Sequence, residues 1–198
     1  MDNFTALVLK GRRVLLQSVR LEDTGELFRI ISDSRQHLEK WLPWVDFVRS
    51  IDDERHIVEQ WLYEMQMRAA IYLCAMLNGQ IAGFISAHQI DWMNQRASIG
   101  YWTRDDMLNQ NVSTESAAVL MEYLFEKLKL HRIYIQAATA NAPSNRVIQK
   151  LGFEHEGVLH ENERIRDNFL DHNIYGMTSD EFKNVKHGLS PYLVDGSI

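Results

Sequence analysis

Residues 97–153 constrain the fold of this chain more than any other part. They pass from an apolar run at 97–102 through a polar loop at 103–112 to a helical pattern over 113–128. A second apolar run at 132–139 and a second helical pattern over 143–151 follow, closing on Leu151-Gly152-Phe153. Parallel strands cannot be joined by a tight turn; they need a crossover of about a dozen or more residues, usually a helix. The order therefore predicts two parallel strands with the 113–128 helix between them. The loop feeding that helix is the part best suited to bind a ligand. A helix amino terminus presents N–H groups without intrahelical partners and a partial positive charge, a ready site for phosphate.

Upstream, 13–19 reads as a short strand, and 21–24 leads into a helix with Leu27, Ile30 and Ile31 at helical spacing. Pro43 interrupts any helix in Trp41-Leu42-Pro43-Trp44-Val45-Asp46-Phe47, whose aromatics either pack as a helix corner or line a pocket. Asp52 or Asp53 is expected to cap a helix running to about Arg68, with Ile57, Val58, Trp61, Leu62 and Met65 on its inner face. Asn78-Gly79 between apolar runs predicts a two-residue hairpin joining 71–77 to 80–88. A polar loop at 91–95 precedes the return strand over 96–103. After Phe153 the pattern predicts a strand over 154–159, a charged loop over 160–168 and a final strand over 169–177. Residues 178–198 show no clear period and read as a surface arm or tail beyond a domain of 1–177.

Composition narrows the function classes. A formal charge of −6 argues against general nucleic-acid binding, which favours a basic face. The lone Cys74 rules out an internal disulfide; inside the apolar run 71–77 it is expected to be a buried core thiol, not a nucleophile. No run reaches the length of a membrane span, and Met1-Asp2-Asn3 does not open a signal peptide, so the cytoplasm is the expected compartment. Eight histidines form no His-Glu-x-x-His and there is no cysteine pair, so no metal is expected. Gly-x-Ser-x-Gly and the phosphate-binding Gly-Lys-Ser loop are also missing. Lys127, Lys129 and Arg132 make a small basic patch suited to the carboxyl end of the 113–128 helix.

Four segments then carry a resemblance: Ile99-Gly100-Tyr101-Trp102, Ser113-Thr114-Glu115-Ser116, Asn141-Ala142-Pro143-Ser144-Asn145-Arg146-Val147 and Leu151-Gly152-Phe153. With Gly157-Val158-Leu159 and the spaced pair Asp171 and Tyr175, their order resembles the GNAT acetyltransferases, within them the RimJ/RimL-like branch that acetylates protein amino termini. The likeness runs from about Gly11 to Met177. It implies an α/β GNAT acyl-CoA N-acyltransferase fold: a mixed, mostly antiparallel sheet of about seven strands with flanking helices. The sheet would splay between 99–102 and 132–139. It also implies acetyl-CoA as co-substrate and direct transfer to a primary amine in a ternary complex. A protein α-amino group is the first acceptor; a polyamine, amino acid or aminoacyl-type antibiotic is the second. Monomer and homodimer both stay open.

One departure from the family is plain. Its pyrophosphate loop is glycine-rich, whereas this chain has Leu108-Asn109-Gln110-Asn111-Val112-Ser113 before Thr114. Asparagine is the best non-glycine residue for left-handed backbone, so Asn109 and Asn111 are expected to keep the loop's shape. Ser113 stands for the small last residue. The competing reading is an acyl-CoA-fold protein that has lost catalysis and serves as a binding module.

Acyl transfer to an amine requires a neutral amine, a donor to the carbonyl oxygen and a departing thiolate. The resemblance makes Glu163 the base, with Glu161 and His160 as rivals in a segment that otherwise reads as a solvated loop partnered by Arg164 and Arg166. It puts Ser144 near the sulfur, where the residue also reads as a helix-start hydroxyl. Ile148 stands where many relatives have a tyrosine acid. Asn141, otherwise a turn residue, is matched to the amide that binds the pantetheine arm beside the backbone of Ile99, Gly100, Tyr101 and Trp102. Trp41, Trp44 and Phe47 are matched to a wall of the acceptor groove.

Overall fold

The computed structural model describes residues 3–194. Its strands are β1 (Val8–Lys10), β2 (Val14–Ser18), β3 (Ile71–Leu77), β4 (Gln80–Asp91), β5 (Arg96–Thr103), β6 (Arg132–Ala138), β7 (Glu154–Ile165) and β8 (Asn168–Thr178). All eight join one sheet in the order β1-β2-β3-β4-β5-β6-β8-β7. Every pairing is antiparallel except β5 with β6. The expected mixed sheet is present, with β1 as an additional strand of three residues.

Among the described residues six α-helices accompany the sheet: α1 (Thr24–Asp33), α2 (Arg35–Leu38), α3 (Ile51–Gln66), α4 (Val112–Glu122), α5 (Ala142–Lys150) and α6 (Ser179–Val185). α4 is the crossover between β5 and β6, and apart from Ser113 all of its residues are buried. Its apolar Ala117-Ala118-Val119-Leu120-Met121 run has no polar face because the helix packs against β2, β4 and β5. The regular helix is shorter than the 113–128 expected. It gives way at Tyr123–Lys127 to one wide turn, in which Leu128 donates back to the Tyr123 carbonyl.

Local chemistry explains most boundaries. Asn78 and Gly79 both take positive φ, 52° and 78°, as a two-residue hairpin turn requires. Gly152 ends α5 at φ 85°, against the Val185 side chain. The cap of α3 is a correction: Ser50, not Asp52 or Asp53, holds that position, and Asp53 returns the bond to the Ser50 backbone as a capping box.

Two further expectations are corrected. The charged stretch 160–168 is not a loop; β7 continues to Ile165 and turns tightly at Arg166 and Asp167 into β8. Charge obscured the strand because β7 is the sheet edge, where charged side chains guard against stray pairing. Residues 179–194 are not a loose tail. Thr178 and Glu181 form a capping box at the start of α6, Phe182 is buried against Phe125, and Leu193 bridges back to Gly11. A helix of seven residues is too short to declare a period. Residues 195–198 of that expected tail lie outside the described residues.

Cys74 is buried as expected, and burial pushes its thiol pKa up. Among the described residues no helix is long and apolar enough to cross a membrane.

Candidate active site

β5 and β6 pair only from Arg96↔Arg132 to Ser98↔Tyr134. Beyond that point they part, and a cavity of about 1100 Å³ opens between them. Ile99, Gly100, Tyr101 and Trp102 from β5 face Ile135, Gln136, Ala137 and Ala138 from β6 across it. Because β5 still pairs with β4 through Thr103, only its β6-facing edge is left without a strand partner.

The α4 amino terminus closes one end. Asn109 and Asn111 both sit at φ 61°, in the left-handed conformation expected of glycine substitutes. Asn111 precedes the first turn of α4, and Lys150 donates to its Oδ1 at 2.8 Å. Ser113 Oγ lies 2.7 Å from Thr103 Oγ1, fastening the helix start to β5. The Gln110 carbonyl accepts from Arg13, whose backbone N–H and that of Val14 both donate to the buried carboxylate of Glu115. Glu115 therefore anchors the loop to the β1–β2 turn. Asn109, Asn111, Val112, Ser113 and Thr114 line the cavity, while Gln110 contributes through that carbonyl tether instead.

The start of α5 forms the facing wall. Asn141 Oδ1 accepts from the Ser144 backbone N–H, the capping role, and its side chain also lines the cavity. Ser144 Oγ is 3.2 Å from the Tyr101 hydroxyl, whose pKa is pushed up by burial. Ile148 is fully buried and is not part of the wall. Behind these residues sits Asn145, which donates to the carbonyls of Ala138 and Asn141 and accepts from Asn173 and the Tyr175 hydroxyl. This buried amide ties β6, α5 and β8 together, a role its place in the 141–147 segment does not reveal.

Glu163 and Glu161 are separated by an irregularity. Leu159 pairs with His172 and Glu163 with Leu170, so three residues of β7 stand against Asp171 alone. Glu161 takes φ 48°, and its N–H donates to Asp171 Oδ1 at 2.8 Å. In a regular strand residues two apart share a face. The bulge breaks that rule: His160 and Glu161 are exposed, whereas Asn162 and Glu163 line the cavity. Glu163 is half-buried, and burial raises its carboxyl pKa. His172 Nε2 lies 3.4 Å from Glu163 Oε2.

Trp41 and Trp44 also line the cavity, with the 43–47 turn packed through buried Val45. Phe47 does not join them; it is 74% exposed and outside the cavity, a correction to its expected place in the wall. Residues the sequence did not indicate take its place. Trp61 of α3 stacks on Tyr72 and Phe84, and Phe84 stacks on Trp102, giving a continuous aromatic side to the same space. Tyr72, Phe84 and Trp102 come from three different strands, and the sheet register brings them together beneath Trp61. A smaller cleft between Arg35, Asp46, Arg49 and Arg166 lies apart from the splay; Arg166 pairs with the Asp46 carboxylate, while Arg35 and Arg49 donate to the backbone carbonyls of Val45 and Asp46. Among the described residues no cluster of histidine, cysteine or carboxylate is arranged to hold a metal.

A parallel strand pair parted over a helix amino terminus, with a carboxylate from β7 in the same cavity, is the arrangement of an acyltransferase of the GNAT type. The sequence pattern of the "Acetyltransferase (GNAT) domain" matches residues 13–154, and the chain belongs to that family. It is similar to the putative ribosomal N-acetyltransferase YdaF of Bacillus subtilis (strain 168), 30% identical over 74% of this chain and 81% of the relative. The ribosomal-protein-serine acetyltransferase of Escherichia coli (strain K12) is 27% identical over 83% of this chain and 92% of its own length. Among solved structures, the Microcin C7 self immunity acetyltransferase MccE, in complex with acetyl-CoA and AMP, superposes with a TM-score of 0.82. That match is 28% identical and covers 84% of this chain and 93% of MccE.

Proposed function

We propose that this N-acetyltransferase moves an acetyl group from acetyl-CoA to a primary amine, and that its preferred acceptor is the α-amino group of a protein. The parting of β5 from β6 beside the α4 amino terminus carries this reading. The residues present fit the co-substrate. Backbone N–H groups at 112–114, reached through two left-handed asparagines, would hold its pyrophosphate, with Arg146 and Lys150 lining the same space. The unpaired edge of 99–102 would bond the extended pantetheine arm, with the Asn141 amide alongside.

Acetyl-CoA supplies an activated acyl group; the chain supplies orientation and proton handling. An N–H of the β5 edge would donate to the carbonyl oxygen as charge develops there. Glu163 would accept the amine's proton, directly or through a water. Ser144 Oγ, supported by the Tyr101 hydroxyl, would hydrogen-bond the departing sulfur.

Two observations favour a protein amino terminus over a polyamine. Glu163 is the single carboxylate among the described residues that line the cavity, and a polyamine carries several separated positive charges. The same cavity carries a broad aromatic lining from Trp41, Trp44, Trp61, Tyr72, Phe84 and Trp102, suited to a peptide whose only charge near the site is its terminal amine. The names of the two curated relatives point the same way.

The test offers acetyl-CoA with an equimolar mixture of a free-amino-terminus peptide, the same peptide blocked at its α-amine but carrying a lysine, and spermidine. Intact mass should show the free peptide acetylated first. Preference for spermidine overturns the acceptor assignment. Acetyl-CoA binding without transfer to any amine marks a binding module instead.

A further inference from the structure

The Glu163 end of the cavity contains a histidine that the reaction outlined above does not use. His172, on β8, is 7% exposed, and its Nε2 is closed off from solvent with no hydrogen-bond partner. That nitrogen approaches Glu163 Oε2 to 3.4 Å but lies off the line of a hydrogen bond. Buried polar atoms in folded proteins are nearly always paired, so an orphan beside a carboxylate points to a bond made at another stage.

The other ring nitrogen fixes the tautomer. Asn162 Nδ2 lies 3.1 Å from Gln136 Oε1 and 3.3 Å from His172 Nδ1. An amide NH2 has two hydrogens and no lone pair, so it donates one to Gln136 and the other to Nδ1. A neutral imidazole that accepts at Nδ1 carries its hydrogen on Nε2, facing Glu163. Burial also lowers the His172 pKa, which favours the neutral ring.

We propose that His172 is a positioning residue for Glu163. Its Nε2–H donates to Glu163 Oε2 when the acceptor amine is bound, orienting the carboxylate and holding it ionised until it takes the amine's proton. That proton goes to Oε1, and His172 neither gains nor loses one. The inference rests on the reading of Glu163 as base. A donor to the ionised carboxylate opposes the effect of burial, which favours the protonated acid. Other ionisable groups face the cavity: His37, Tyr72 on β3, His88 on β4, Tyr101 on β5, Tyr134 on β6, and Arg146 and Lys150 on α5. Arg164 and Glu161 flank Glu163 on its own strand, and Arg166 at the turn pairs with Glu39 and Asp46. Among the described residues only His172 comes within ion-pair distance of Glu163.

The experiment is the pH profile of kcat at saturating peptide acceptor and acetyl-CoA, which reports the bound state, measured with melting temperature on wild type, His172→Phe, His172→Gln and Glu163→Gln. Phe keeps the ring's bulk without a nitrogen; Gln keeps an N–H near the Nε2 position. His172→Phe should move the acid limb upward by about one pH unit and lower the rate on that limb about tenfold. KM for acetyl-CoA should not change, and His172→Gln should keep the wild-type limb. A His172→Phe profile that superimposes on wild type overturns the proposal, as does a His172→Gln limb displaced as far as that of His172→Phe. Wild-type activity in Glu163→Gln defeats the base assignment itself, a different result from a limb that only ignores His172. Should His172→Phe fail to fold, nitrogen NMR of the wild-type imidazole decides. The proposal requires the Nε2–H neutral tautomer, and the Nδ1–H form or an imidazolium at neutral pH overturns it.

Discussion

Asn109 and Asn111 show that a loop can hold left-handed backbone at two positions without glycine. Left-handed backbone costs most residues about 1–2 kcal/mol and asparagine less, because its short polar side chain bonds locally. Asn111→Gly should therefore leave acetyl-CoA affinity within a few-fold of wild type despite losing the Lys150 contact. Asn111→Val should weaken it about tenfold or more by calorimetry, since a β-branched residue at φ 61° is strongly disfavoured. A second residue carries a pH prediction. Glu54 in α3 is fully buried, both of its oxygens lack hydrogen-bond partners, and burial raises its pKa to about 7. A carboxyl whose folded pKa is raised binds its proton more tightly when folded. Its contribution is intact below the unfolded value of about 4.3 and is lost as pH rises through about 7, a swing of about 3–4 kcal/mol. Glu54→Gln should flatten that slope and be more stable than wild type at pH 9 by denaturant titration. The left-handed asparagines were legible because the chemistry of that conformation is local. Glu54 was not: an acidic residue near a helix start reads as dipole complementation, and only the packing of α3 shows that it is buried.

At the scale of elements, the 41–47 segment separates cleanly into two roles. Pro43 breaks the helix as the sequence implied, but the turn that follows sends Trp44 toward the cavity and Phe47 toward solvent. Trp44→Ala should raise the acceptor's KM by very roughly 1–3 kcal/mol of lost contact while leaving KM for acetyl-CoA unchanged. Phe47→Ala should alter neither. Equal effects of both on acceptor KM, or a sharp fall in melting temperature for Trp44→Ala, would return the segment to a purely structural role. The crossover unit was legible because α4 and its two strands each have a strong period and a fixed order. The β7 bulge was not. Alternation alone puts Glu161 and Glu163 on one face, and it is Asp171, accepting the Glu161 N–H from the next strand, that separates them. α6 was missed because seven residues hold one buried aromatic, Phe182, and one buried residue sets no period.

Over the whole molecule, the site depends on a sheet that stays closed at one end and opens at the other. β5 and β6 are held together through Ser98 and Tyr134, while α4 enters from one side and the Asn145 network fixes α5 and β8 on the other. Each of these elements follows from its own sequence, yet the cavity belongs to none of them. It exists because the strands separate before their apolar runs end. The central claim is that this gap joins a bound thioester to an amine, with Glu163 as the base. It is tested most directly by single-turnover mixing of the protein with acetyl-CoA and a free-amino-terminus peptide, following thiol release and peptide mass together. The account predicts one thiol released per peptide acetylated, with the rate rising through the raised pKa of Glu163 as pH increases and falling on the order of a hundredfold in Glu163→Gln. Thiol release without acetylated peptide, or an unchanged rate and pH profile in Glu163→Gln, would contradict it.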